Sequence, residues 1–368
     1  MGNEDRGTGD YSWPQYTPTD RPDQKEGFRS VKLDFARRIL YFLSEGDGMK
    51  RSCAGLLLTY LILAAPGGPE QSRAQDLSHN AKISLGLRLF FDPRLSGDNR
   101  MSCASCHIPA LAFTDGRPVA VGSNGRALSR NTPTLIQSAH NTSQFWDGRV
   151  RTLEEQVFEP IRHPDEMNQN LDVLQAELAE DPDYVNLFEE AFGSPITLQG
   201  ISAAIAAFER TLLSRNSPFD RYLTGERTAI SPEARRGMDI FQIKAQCGSC
   251  HKGLDFTDHE FHNLGVAEPD SQQPDLGRYL VTKLEPERGA FKTPTLRNIA
   301  QTAPYMHNGT LKTLEEVVAF YNKGGGKNPH LDPAMTPLEL SQQEQKDLVA
   351  FLITLTGRLP TITPPEFK

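Results

Sequence analysis

The sequence predicts a mainly α-helical protein made of two tandem units on one plan, and two observations predict it. Cys103-Ala104-Ser105-Cys106-His107 and Cys247-Gly248-Ser249-Cys250-His251 repeat one pattern, and each lies just after a predicted helix. No segment of any length alternates apolar and polar residues as a half-buried strand would. C-x-x-C-H is the pattern of covalent c-type haem attachment. Two thiols form thioethers to the porphyrin, and the adjacent histidine faces the iron as proximal ligand. The competing reading is a redox or zinc C-x-x-C followed by His through chance. Two copies that both end in His, and that use four of the five cysteines, argue against it. Cys103, Cys106, Cys247 and Cys250 are therefore expected to hold two haem c groups, with His107 and His251 on the irons.

Composition sets the frame. The 368 residues are 38% hydrophobic and 23% charged, enough for two or three domains, and 26 Pro and 29 Gly predict many loops. A formal charge of −8 gives no reason to expect nucleic-acid binding. The fifth cysteine, Cys53, sits in an informative stretch. Met49-Lys50-Arg51 is a short basic start, Ala54 to Ala65 is apolar, and Ser72-Arg73-Ala74 offers a small-x-small cleavage site. That is the layout of a secretory signal peptide over 49–74, too short in its apolar run to span a membrane. Haem attachment to C-x-x-C-H takes place outside the cytoplasm, so a periplasmic protein, soluble after cleavage, is expected. Residues 1–48 are polar and precede Met49, as a misplaced start codon would leave them.

In order along the chain, Asn80 to Phe91 reads as a helix with Ile83, Leu85, Leu87 and Leu89-Phe90-Phe91 on a broad apolar face. Asp92-Pro93 ends it. Gly116 to Arg130 is a polar loop with no His and no Met, able to cover a haem without supplying a sixth ligand. Thr152-Leu153-Glu154-Glu155 is a capping box that opens a helix carrying Gln156 and Pro160. Amphipathic helices are expected over 171–191 and 198–214, and a linker over 216–228. Ser231-Pro232-Glu233 then starts a helix expected to run from Pro232 to Ile243. Thr313-Leu314-Glu315-Glu316 is a second capping box, and its helix puts Leu314, Val317, Val318 and Tyr321 on one face. Ser341 caps the last helix. The chain thus reads as two cytochrome c-like domains, 78–218 and 229–360. His163, His259 and His262 read as ordinary surface or loop histidines.

Four further segments give the pattern its specificity. They are Leu89-Phe90-Phe91-Asp92, Gln144-Phe145-Trp146-Asp147-Gly148-Arg149, Pro294-Thr295-Leu296-Arg297-Asn298 and Ala303-Pro304-Tyr305-Met306-His307. With both haem motifs they resemble the bacterial di-haem cytochrome c peroxidase and MauG family over about residues 78 to 360. The resemblance implies that the haem held by His107 reacts with H2O2 and that the haem held by His251 transfers electrons. It implies that Trp146 lies between them, that Gln156, Pro160 and Glu166 lie over the distal face of the peroxide haem, and that Asn131, Thr302 and Pro304 hold a calcium ion. Hard oxygen ligands suit that ion.

Two departures from the peroxidases of the family shape the functional expectation. Tyr321 stands where they carry a Met, as in the MauG branch; a phenolate favours the oxidised iron and lowers its potential, and a thioether does the reverse. The loop 116–130 lacks the His that often ligates their resting peroxide haem. Both point to an enzyme that uses H2O2 to charge its haem pair and then oxidises a Trp or Tyr of a partner protein. The alternatives are a cytochrome c peroxidase, fed by a small cytochrome or cupredoxin, and a non-catalytic electron carrier. A third departure limits the MauG parallel: where MauG relays charge through a Trp just before the second haem motif, this chain has Ala245.

Overall fold

A computed structural model describes residues 69–266 and 274–367. The expected upstream segment and export signal lie outside them, except that residues 69–74 are helical. Residues 76–222 and 226–367 form one compact unit.

The helices are α1 (Pro69–Phe91), α2 (Leu153–Arg162), α3 (Leu171–Ala179), α4 (Pro182–Phe192), α5 (Leu198–Glu209), α6 (Pro218–Leu223), α7 (Pro232–Asp239), α8 (Leu314–Asn322) and α9 (Gln342–Ile353), with several single turns between them. The described strands are β1 (Phe261–His262) and β2 (Phe291–Lys292), an antiparallel pair. The mainly helical expectation holds. No described helix is long and apolar enough to cross a membrane.

Caps explain most boundaries. The Thr152 hydroxyl accepts from the Glu155 N–H, and the Glu155 carboxylate accepts from the Thr152 N–H. The same reciprocal pair joins Ser341 and Glu344. At α8 only half of the expected box forms, because the Glu316 carboxylate accepts from the Lys312 N–H instead.

Four expectations change. First, α1 begins at Pro69 rather than Asn80: the polar residues before Asn80 are good helix formers without a breaker. Second, the helix expected over 171–191 is broken in two, since Asp181 caps a new helix whose first residue is Pro182. Third, the expected linker 216–228 contains α6, whose Phe219 is fully buried against Phe256 and Phe351. Fourth, the helix from Pro232 leaves the α form after Asp239 and continues to Lys244 as one π turn ahead of the second haem motif.

Both halves are built on the same close helix crossing. A Cβ at Gly86 of α1 would collide with the Ala204 carbonyl of α5, and one at Gly237 of α7 would collide with the Asp347 carbonyl of α9. Beside each glycine contact lies an aromatic pair: Phe90 and Phe208 at 5.1 Å between ring centroids, Phe241 and Phe351 at 5.2 Å. Phe113 joins the first pair and Phe256 the second. The core of the first half spreads from Leu85 and Leu89 to Ile201 and Ile205, then outward to Leu174, Tyr184 and Phe188.

The glycines leave no room for a methyl group against backbone. Gly237→Ala is expected to cost about 3 kcal/mol by overpacking, read as a lower thermal midpoint, whereas Gly193→Ala, where a Cβ meets nothing within 4 Å, costs only the strain of its left-handed backbone.

Candidate functional site

One cavity of about 1130 Å³ is lined by both C-x-x-C-H motifs, more than a pocket for a single small ligand needs. All the residues singled out from the sequence line it: both cysteine pairs, His107, His251, Trp146, Gln156, Pro160, Glu166, Tyr321, Asn131, Thr302 and Pro304.

The proximal side is built twice. His107 Nδ1 lies 3.0 Å from the Phe113 carbonyl oxygen and His251 Nδ1 lies 2.9 Å from that of Phe256. A carbonyl only accepts, so each Nδ1 carries the proton and each Nε2 is left free as a ligand. Both phenylalanines have positive φ, which turns their carbonyls back onto the rings. Burial lowers both imidazole pKa values and keeps them neutral. The four cysteines are free thiols, and burial pushes Cys106 up to about 11 and Cys247 up to about 12. Paired neutral thiols, an oriented imidazole and an apolar wall are what a covalent haem needs at each motif, so the residues fit that group.

The opposite walls repeat as well. Thr152 and Thr313 cap α2 and α8 in the same way, and at matching places along these helices stand Pro160 and Tyr321. The preceding turns correspond too: Gln144 N–H donates to the Val150 carbonyl and Tyr305 N–H to that of Leu311, with Phe145 and Met306 both at positive φ. In this register Trp146 corresponds to His307 and Asn131 to Lys292. The common spacing of these residues in the sequence was the available signal for the repeat. Burial, then Cys247 and Cys250, raise the Tyr321 phenol pKa, which places its ring in the second haem's compartment.

Trp146 is wired to both halves. Its Nε1 donates to the Asn131 carbonyl at 2.9 Å, and its own carbonyl accepts from the Lys292 N–H at 2.8 Å. The Asn131 N–H donates to the His307 carbonyl at 2.6 Å, and its Nδ2 donates to the Arg117 carbonyl, while among the described residues none donates to Oδ1. His307 stacks on Phe291, with ring centroids 3.7 Å apart. Arg130 locks the junction, bonded to Asp147 at 2.7 Å and to Asp275 at 2.6 Å. Arg278 adds two bonds to the Asp147 and Gly148 carbonyls.

Electrostatics single out further groups. Burial raises the Glu166 pKa against the pull of His163 and Arg149, and its backbone carbonyl anchors the 116–130 loop through the Ser123 N–H. His262 is not the ordinary loop histidine expected. It bonds Asp258 at 3.1 Å and Asp332 at 2.6 Å, and contact with Cys250, then Asp332, raises its pKa to about 10. Sequence reading missed two groups that line the cavity, Glu209 and Lys292. Glu209 is 3% exposed, and among the described residues its Oε2 has no hydrogen-bond partner. Following Phe208 as Leu352 follows Phe351, it puts a carboxyl where the second half has a methyl-tipped side chain.

A family model described as di-haem cytochrome c peroxidase matches residues 80–228, and one for cytochrome c matches 234–356. The methylamine utilization protein MauG of Methylorubrum extorquens is 45% identical over 77% of this chain and 81% of its own length. The cytochrome-c peroxidase IdrP1 of Denitromonas iodatirespirans is 40% identical over 76% of this chain and 83% of its own. A crystal structure of a MauG-like protein associated with microbial copper homeostasis superposes with a TM-score of 0.70 at 37% identity, covering 75% of this chain and 89% of that one.

Burial pushes the Glu209 carboxyl up to about 8, so the folded chain holds a proton that the unfolded chain loses near pH ~4.3. Stability is expected to fall as pH rises through that window and to level off above it. Glu209→Gln should flatten the curve and gain roughly 3 kcal/mol at pH 8, measured by thermal unfolding across pH.

Proposed function

The chain belongs to the di-haem cytochrome c peroxidase family, and within it we propose an exported oxidoreductase that uses H2O2 to oxidise Trp or Tyr residues of a partner protein. The observation that carries this reading is the pairing of Pro160 with Tyr321 at equivalent places in the two halves. Bound haem supplies the iron chemistry, accepting oxidising equivalents from H2O2 and passing them on.

The residues divide the labour. Pro160 has no donor atom to offer, so the distal face above His107 is left to peroxide. Tyr321 offers the second iron an anionic oxygen. Burial, then Cys247 and Cys250, raise its pKa, and the positive charge of a bound iron would make the phenolate accessible. That ligand favours the oxidised state and suits a protein that stores oxidising equivalents. Glu166 is the base that takes the proton from the inner peroxide oxygen and returns it to the outer one, with Gln156 beside it as hydrogen-bond donor. Trp146 lies on the path between the halves. Asn131, Thr302 and Pro304 are the proposed calcium ligands, which would stiffen the strap that bonds Trp146. The chemistry of C-x-x-C-H attachment, which takes place outside the cytoplasm, supports a periplasmic location.

A second reading, a cytochrome c peroxidase that draws electrons from a small cytochrome or cupredoxin, is favoured by one feature. Ala245, just before the second motif, is buried and offers no aromatic ring for charge transfer to a docked protein.

One equivalent of H2O2 added to the diferric protein is expected to give a long-lived oxidised species seen in the spectra of both haems, without prior reduction. Tyr321→His should lose it; unchanged spectra and reactivity in that variant would remove Tyr321 as a ligand. The rate of peroxide consumption should rise with pH through a carboxyl pKa above the usual carboxylate range. Glu166→Gln should lower that rate by about 100-fold or more and erase the pH limb, measured by stopped-flow mixing.

A further inference from the structure

Lys292 stands in the wall where the two halves meet. It ends β2, and its backbone N–H donates to the Trp146 carbonyl, which fixes it beside the tryptophan. Its side chain is 9% exposed and lines the shared cavity. Among the described residues, none accepts a hydrogen bond from its ammonium or forms an ion pair with it. Of the buried or half-buried cations that line the cavity, Arg130 is matched by Asp147 and Asp275, Arg149 by Asp147 and Glu159, and His262 by Asp258 and Asp332, while Arg278, outside that lining, is held by the Asp147 and Gly148 carbonyls.

The two aspartates nearest in the chain to the second motif are already engaged elsewhere, and the carboxylate of Glu260 is exposed. Asp255 is bonded by His140 and Gln137, and Asp258 by His262. His259 lies close enough for the ammonium to lower its pKa, after burial as the larger cause, and an imidazole, neutral or cationic, cannot serve as an anion for it. A buried ammonium without an anion is costly and is found paired or deprotonated. Burial pulls Lys292 down to about 8, as expected of a cation whose partner is not a protein group.

We propose that Lys292 is the countercharge for a propionate of the haem anchored at Cys247 and Cys250. Haem brings two carboxylates into a cavity whose other nearby cations are spoken for. Lys292 directly precedes Thr293-Pro294, and the Pro294 carbonyl lies against His251, so Lys292 belongs to the rim of the second compartment. The equivalent position in the first half is Asn131, a neutral amide whose Nδ2 is bound to a carbonyl. The two haems therefore meet different charge at equivalent corners. A fixed positive charge at a propionate favours the reduced iron, opposing the phenolate that Tyr321 would supply. The assignment rests on covalent haem at the second motif and stands or falls apart from Tyr321 and from the nature of the partner.

The test is stepwise optical reduction of the haem-loaded protein, with haem content measured first. Lys292→Met should keep its full haem content and shift the reduction equilibrium of one haem about tenfold toward the ferric state, about 59 mV for one electron. The other haem should stay within twofold, and Lys292→Arg within threefold of the wild type at both. Superimposable titrations of wild type and Lys292→Met overturn the assignment, and so does equal displacement of both haems. If Lys292→Met does not accumulate loaded, the propionate bending band in resonance Raman spectra of Lys292→Arg decides. A displaced band supports the contact and an unmoved band overturns it. A wild-type protein without haem at the second motif would instead remove the cofactor assignment beneath it.

Discussion

Everything in this molecule hangs on a helix crossing close enough to need glycine. Where α1 meets α5 and where α7 meets α9, backbone lies against backbone, and no side chain larger than hydrogen fits at Gly86 or Gly237. The tight crossing pushes the neighbouring phenylalanines together and so fixes the segment that follows each first helix. That segment carries the cysteines and the histidine. The imidazole is then turned by a carbonyl from a residue held at positive φ, Phe113 or Phe256. Ligand orientation is thus set by packing several residues away from the ligand, as expected where the supporting partners of a metal site do part of the work.

Given one scaffold used twice, chemistry resides in the places where the copies differ. Pro160 faces Tyr321 across the repeat, Trp146 faces His307, Asn131 faces Lys292, and Glu209 faces Leu352. Each pair exchanges one chemistry for another, a ring without a ligand atom for a phenol, an indole for an imidazole, an amide for an ammonium and a carboxyl for an alkyl group, and the exchange does not always favour the same half. The first half holds the neutral buried carboxyl and the tryptophan, the second the phenol and the ammonium. Two cofactor sites of similar build are made unlike by a few side chains on an unchanged backbone, which fits the general rule that function is carried by sites rather than folds.

The haem motifs, the helix caps and the cavity-facing residues of α8 were legible from the sequence, because each is a local pattern: fixed spacing, a hydroxyl before an acid, an apolar period. What escaped was non-local. Asp181-Pro182 carried the signal for a break, but the apolar period on both sides masked it. Residues 216–228 looked like a linker because a single buried Phe219 makes no period. Lys292 and Glu209 went unnoticed, since nothing nearby in the sequence says that β2 is pressed against Trp146 or that α5 turns its last residue toward the cavity. His262 became informative only when the fold brought Asp332 to it.

The helix found inside that supposed linker has a physical meaning of its own. Phe219 is part of the second half's aromatic cluster, and Asp220 is bonded to Arg297 at 2.6 Å. The segment that joins the halves is therefore rooted in one of them, and Arg130 and Arg278 bolt the junction from the other side. Electron tunnelling weakens steeply with separation, so a pair of redox centres on a swinging tether would exchange charge at a rate that fluctuates with every excursion. Here the gap is set once, when the chain folds. With that gap held, exchange between bound haems would follow their relative energies, and under the proposed function a visiting protein would need to reach only one of them to address both.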